Sequence, residues 1–511
     1  MPDNSTHAFS SKRIAKNAIF LYMRMIITVV VSFYTARVLL QELGVDNYGI
    51  YNLVGGIVLL FASLRGMFSC AVQRYLNYEY ACEGGDARKV FSLSLIIHIL
   101  VAIIFVITVE VAGYFILPSL NIPTDRLFAA KIVFQFSILA SGISILTIPY
   151  DAVIVAREKM DIYAYIAIFE ALGKLLIVIL IPLLPYDILI NYGLLVLLIS
   201  LMICFIYYVY CVSHFTESKF KWQWDTRLFK ELSGFAGWNF VGNLAFSLTN
   251  EGINMLLNLF GGVAVNAARG ISYQIKNILQ QLLGNIMTAY RPQSTVSYAQ
   301  KQYDQFYKLL FQSSKVVFAL YCIMAVPLFI FLPQILQIWL NQVPEYTVPL
   351  MRAILIYMMV RSFHEPMDLV FKSAGKLNRY QLCELCLLTL SLPLSFLILK
   401  TEQPFYFVFI GMAVVELIDL VAIVAIARYQ LSFPFRLYIK KVQGPCYALV
   451  IFLVLIHCGI GYILKMPENM YLVALYMIID VMIVGVAIYF IQLNKEEKEI
   501  IKKISRKILH N

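Results

Sequence analysis

The chain has 511 residues, of which 61% are hydrophobic and only 14% charged, with a mean hydropathy of +0.77. Soluble globular chains carry roughly 25% charged residues, so water cannot be the solvent for most of this surface. A soluble enzyme or binding module is excluded, and the formal charge of +11 must be located before nucleic acid is weighed as a partner.

From the N-terminus, MPDNSTHAFSSKRIAKN is polar and ends in basic residues. The apolar stretch behind it is too long for a signal peptide and has no small-residue cleavage site, which predicts a retained first helix. An apolar segment of about 20 residues spans a bilayer. Such segments are predicted near 14–40, 47–70, 90–117, 128–149, 162–184, 188–212, 232–260, 266–290, 307–333, 348–370, 379–399, 405–427, 443–464 and 470–493. The expected fold is an all-α membrane protein of about fourteen transmembrane helices.

Lys and Arg concentrate in the N-terminal region, in every second loop and in the C-terminal tail, for example Arg88, Lys89, Lys219, Lys221, Lys372 and Lys441. The alternate loops hold only Arg126, Lys400 and Lys465. This positive-inside asymmetry predicts that both termini are cytoplasmic, and it agrees with an even number of spans. The tail KEEKEIIKKISRKILHN reads as a juxtamembrane helix attracted to anionic membrane lipids, so the charge does not call for nucleic acid.

An internal repeat organises the chain. LLQELGVDNYGIYNLVGGI (39–57) at the junction of spans one and two is echoed by LLNLFGGVAVNAARGISYQI (256–275) at the junction of spans seven and eight. SCAVQRYLNYEYA (69–81) is echoed by MTAYRPQSTVSYA (287–299), again about six spans later. Two six-helix bundles sharing one orientation, related by a pseudo-twofold axis along the membrane normal, are the expected plan. The expected parts are a cytoplasmic N-terminal tail (1–13), a first bundle (14–213), a cytoplasmic linker (214–231), a second bundle (232–428), two extra spans (442–493) and the basic tail (494–511). The extra spans either line a lipid-facing groove or pack on the periphery, and the groove is the preferred reading.

Charges inside the spans are the candidate functional groups, because a charge at mid-helix costs roughly 2.5–3.5 kcal/mol on an insertion scale. The first two helices of each half carry Arg24, Arg37 and Arg65, then Glu251, Arg269 and Lys276. Five cations against one anion would attract an anion, and the arginine fork pairs two oxygens of a phosphate. The plainer alternatives are snorkelling for Arg24, Arg37 and Arg65, and a structural ion pair with a neighbouring helix for Arg269 and Lys276. Glu251 either pairs with one of these cations or serves as a proton or sodium site. Gly44, Gly55, Gly56, Gly261 and Gly262, near helix junctions, are candidate hinges.

Walker A, GxSxG and HExxH motifs are absent, and no loop is long enough for a catalytic domain, so no enzyme and no cofactor are expected. Cys383 and Cys386 form a CxxC on a predicted span without the context of a redox motif, and no metal site is expected.

At LGVDNYGIYNLVGGI, GINMLLNLFGGVAVNAARGISYQI and RPQSTVSYA the sequence resembles the polysaccharide-transporter branch of the MOP (MATE-like) exporter superfamily. It is most similar to flippases of the Wzx type that handle O-antigen and capsule repeat units. The likeness covers roughly residues 12–430. The resemblance implies a V-shaped pair of bundles in the bacterial inner membrane that moves undecaprenyl-pyrophosphate-linked oligosaccharide outward by alternating access. It serves surface polysaccharide biosynthesis, including that of lipopolysaccharide, alongside polymerase and assembly proteins. Related lipid II flippases hold pyrophosphate with arginines of helices one, two and eight, which places Arg24, Arg65 and Arg269 as counterparts here. The competing expectation is a MATE-type cation-coupled multidrug antiporter, which calls for acidic rather than basic control of the site.

Overall fold

In a computed structural model the described residues are 5–62, 72–73, 75–76, 79–80, 85–157, 159–340, 342–374, 376, 378–463, 469–495 and 497–499, with side chains not described for some helical stretches. Arg65 lies outside them. Every described regular element is a helix. Ten of the described helices are long and apolar enough to cross a membrane, among them Ala87–Ser119, Ile188–His214 and Met470–Gln492.

Two helices are far too long for one crossing. The first, α1 (Ser5–Ala62), has 58 residues and α7 (Thr226–Ala299) has 74. At 1.5 Å per residue a straight helix of either length would be several tens of ångströms longer than a bilayer core of about 30 Å. Each is broken at one glycine: Gly44 (φ 72°, ψ 171°) in α1 and Gly262 (φ 67°, ψ −171°) in α7. That backbone region is open essentially only to glycine, so one residue suffices to join two helical arms. The two breaks have nearly the same dihedral angles and fall at matching points of the repeated segments.

Between them lie α2 (Ala87–Ile116), α3 (Leu127–Leu146), α4 (Ile148–Ala156), α5 (Met160–Leu180) and α6 (Ile188–His214). After α7 come α8 (Tyr303–Ile330), α9 (Leu332–Leu340), α10 (Thr347–Arg361), α11 (His364–Ala374), α12 (Asn378–Lys400) and α13 (Tyr406–Leu431), then α14 (Phe435–Tyr438), α15 (Gly444–Ile463) and α16 (Met470–Ala487). Taking each arm of α1 and α7 as a crossing, α3 with α4 as one and α10 with α11 as one, and leaving out the short α9 and α14, gives the fourteen expected from the sequence.

Local chemistry sets the helix ends. Asp86 caps α2 through the Lys89 amide, and Asp187 caps α6 through the amides of Leu189 and Ile190. Asp187 also pairs with Arg126 at 2.5 Å. Pro118 and Pro182 sit in 3-10 turns that close α2 and α5.

The chain forms two compact units, 1–270 and 271–511. In the first, α3 packs on α2 and α6 around Val133, Phe134, Ile138 and Leu189, and α1 packs on α5. In the second, α13 packs on α10 and α12, and Phe318 stacks on Phe363. Large apolar side chains such as Ile104 (63% exposed) and Val421 (64%) point outward, where lipid chains rather than water are their natural solvent. Tyr114, Tyr186, Tyr429 and Tyr471 are exposed near helix ends, as in an aromatic belt.

Candidate functional site

The arms of α7 bring Glu251 and Arg269 together. Arg269 Nη2 donates to the Asn250 carbonyl at 2.8 Å and lies 3.9 Å from Glu251 Oε1, and both side chains are buried. Asn250 Nδ2 donates to Glu251 Oε1 at 2.7 Å, and Asn254 Nδ2 to Oε2 at 3.2 Å. Glu251 thus lies beside one of the cations, Arg269, on the other arm of the same broken helix rather than on a separate one.

Around this pair runs an asparagine network. Asn266 Nδ2 donates to the Asn254 carbonyl and to its Oδ1, at 2.9 and 2.8 Å, and Asn258 Nδ2 donates to Asn266 Oδ1 at 3.0 Å. Asn258 also binds both the amide and the carbonyl of Asn121. These side chains are fully or almost fully buried, so the network must be internally satisfied to persist. The sequence signal was available: Asn250, Asn254 and Asn258 recur every four residues, which places them on one helix face.

The second arm of α1 lies against this network because Gly56 has no side chain. A Cβ there would come 2.5 Å from Glu251 Oε2 and 2.6 Å from Asn254 Nδ2. Among the other candidate hinges, Gly44 and Gly262 are the helix breaks, Gly55 has open space around it, and Gly261 is half-buried within the α7 helix.

Arg24 is half-buried in the first arm of α1 and stacks on Tyr163 of α5, 4.6 Å from the ring centroid. Lys276, one heptad after Arg269 on α7, is buried against the rings of Tyr273 and Tyr357 at 4.2 and 5.5 Å. Cation–π contacts of this kind attract a cation to the ring face.

A second polar cluster lies in the other unit. Arg361 binds Glu416 at 2.7 Å and Glu384 at 3.1 Å. The His364 imidazole lies between Glu416 Oε1, 3.1 Å from Nδ1, and Asp419 Oδ2, 2.9 Å from Nε2. His364, Glu416 and Asp419 are buried and close enough to share a metal ion. However, Arg361 already binds Glu416 through Oε1, the same oxygen that faces His364. The sequence shows Arg361, Glu384, Glu416 and Asp419 as intramembrane charges, but their partnership depends on how α10 to α13 pack.

Outside the spans, Glu217 is buried and ties its loop to the first unit. It accepts from Tyr80 Oη and Arg157 Nε, both at 2.7 Å, and Arg157 stacks over Tyr80 at 4.1 Å. Burial pushes the Glu217 carboxyl up, but hydrogen bonds from Tyr80, a backbone amide and Arg157 outweigh it and leave the group below its ordinary value.

Residues 240–397 match the MatE family. No curated protein matches the chain. Among solved structures, the lipid II flippase MurJ in an inward closed conformation aligns with a TM-score of 0.68 and 12% identity, over 93% of this chain and 99% of that one. An inward-facing MATE multidrug resistance transporter aligns with a TM-score of 0.65 and 14% identity, over 81% and 98%. A MOP superfamily transporter from Pyrococcus furiosus, described as having a binding pocket of reversed polarity, aligns at 0.61 and 13%, over 82% and 96%. These neighbours are transporters and a flippase, and the chain is a multi-pass membrane protein with the MOP transporter fold.

Proposed function

We propose that the chain is a flippase that moves undecaprenyl-pyrophosphate-linked oligosaccharide across the bacterial inner membrane by alternating access, with both termini cytoplasmic. The observation that carries the reading is the extent of the structural alignment. Alignment with the lipid II flippase takes in 93% of the chain, against 81–82% for the MATE transporters, as expected if the two spans beyond the duplicated twelve have counterparts in a flippase.

In this reading Arg24 and Arg269 take the pyrophosphate, with Arg65 and Lys276 as further cations, while the polyprenyl tail stays in lipid. Arg269 is held by Glu251 at 3.9 Å, a weak pairing that an incoming pyrophosphate with several charged oxygens can displace. No bond is made or broken. Gly44 and Gly262 are the proposed pivots. Glu251, released when Arg269 engages the substrate, is the proposed proton or sodium site. Surface polysaccharide assembly, lipopolysaccharide included, would consume the product.

A second reading, cation-coupled antiport of drugs, is favoured by the Glu251 pair and by the acids Glu384, Glu416 and Asp419, the last two fully buried. Deleting the gene separates the two. Lipid-linked glycan that accumulates out of reach of external glycosidase supports flipping. Normal glycan export together with new sensitivity to cationic drugs contradicts it.

A further inference from the structure

In the second unit, α8, α10, α15 and α16 enclose a cavity of about 800 Å³. Most of its wall is apolar, including Phe329, Leu355, Val450 and Ile483. Val454 and Ile479 line it while remaining 55% and 39% exposed, so it opens sideways where lipid chains lie rather than toward water.

Arg352, His457 and Asp480 break this wall, beside the tyrosines Tyr321 and Tyr476. Arg352 Nε donates to the Phe329 carbonyl at 3.2 Å, which fixes the guanidinium at that end of the cavity. His457 lies 2.6 Å from the Leu453 carbonyl through Nδ1 and 2.5 Å from Asp480 Oδ1 through Nε2. Asp480 is 4% exposed, and its other oxygen, Oδ2, is buried without a hydrogen-bond partner. A buried acceptor left unmade is costly, and a ligand that supplies a donor relieves it.

We propose that this cavity binds a glycerophospholipid that enters sideways from the bilayer. An acyl chain lies along the apolar wall, the phosphate meets Arg352, and a headgroup ammonium or hydroxyl donates to Asp480 Oδ2. The pairing of a cation with an unfilled carboxylate oxygen selects this class. A bare polyprenyl phosphate satisfies Arg352 but brings only further negative charge to Asp480. With the orientation read from the loop charges, Arg352 lies near the extracytoplasmic end of α10, so the ligand comes from the outer leaflet. The inference does not depend on what cargo the protein moves.

The test is native mass spectrometry of the purified full-length protein in detergent, titrated separately with phosphatidylethanolamine, phosphatidylmethanol and undecaprenyl phosphate. Phosphatidylmethanol has the phosphodiester and no headgroup donor. The expected result is one site with at least tenfold preference for phosphatidylethanolamine. Arg352→Gln should weaken both phospholipids tenfold or more, and Asp480→Asn should remove the preference between them. Ile483→Trp fills the cavity without touching the polar groups and should abolish the site even if a polar variant misfolds. Equal binding of the two phospholipids by wild type, a preference for undecaprenyl phosphate, or unchanged binding in Ile483→Trp would overturn the proposal.

Discussion

Arg269 and Glu251 face each other across the Gly262 turn, with Nη2 of one 3.9 Å from Oε1 of the other, on the two arms of one broken helix. Because both are buried, removing either leaves a charge without its counterion. Glu251→Ala and Arg269→Ala should each destabilise the protein, and the double variant should cost less than their sum by about 1–3 kcal/mol. Thermal unfolding of the four proteins in detergent measures this coupling, and additive effects would show that the pair is not an energetic unit.

Glu251→Gln tests the coupling role separately. It keeps the side-chain volume and a hydrogen-bond acceptor for Asn250 while removing the charge. Transport by this variant should no longer respond to an imposed proton or sodium gradient, and an unchanged response would rule Glu251 out as the coupling site.

Gly44 and Gly262 should respond alike to substitution, because both occupy a backbone region closed to side chains. Gly44→Ala and Gly262→Ala should each cost about 1–3 kcal/mol. Gly55→Ala, whose new methyl meets nothing within 4 Å, should be tolerated, whereas Gly56→Ala runs into the Glu251 carboxylate. Ranking the melting temperatures of the four variants checks this ordering.

Arg361 bridges the buried Glu416 and the half-buried Glu384, so Arg361→Met should be strongly destabilising, by about 3–5 kcal/mol, by taking the guanidinium away from both carboxylates. If the cluster is structural, Arg361→Met with Glu384→Gln and Glu416→Gln together should recover much of the lost stability. Failure to recover would point to a role beyond charge balance.

Glu217→Gln should loosen its loop at a cost of about 1–3 kcal/mol, read as faster proteolysis between 214 and 226. The pH sign follows from the lowered carboxyl. The carboxylate's contribution is fully present above the unfolded value near 4.5 and is lost as pH falls from there through the lower folded value. Wild type and Glu217→Gln should therefore converge in protease sensitivity as the pH drops below about 4.5.

Helix number and the repeat were legible because they depend on apolar run length and on local glycine chemistry. The doubled segments around Gly44 and Gly262 adopt the same break with nearly the same dihedrals. Glu251 and Arg269 could be named from their cost in a bilayer, but their mutual pairing could not, since it depends on how the arms of α7 fold back. Three of the asparagines of the network were visible as a four-residue stripe on one arm. Their link to Asn266 and Asn121 is a tertiary fact, as is the meeting of His364 with Glu416 and Asp419.

In the proposed cycle, cations hold a lipid-linked pyrophosphate during translocation. The most direct measurement is translocation of a fluorescent undecaprenyl-pyrophosphate oligosaccharide in liposomes containing the purified protein, comparing wild type with Arg24→Ala/Arg269→Ala. Each charge-assisted phosphate bond contributes about 1.5–3 kcal/mol, so the double variant should lose at least tenfold in rate. Translocation at the wild-type rate by a folded double variant would remove these arginines from the mechanism. No translocation by folded wild type, with several glycans tried, would contradict the account and favour cation-coupled drug export.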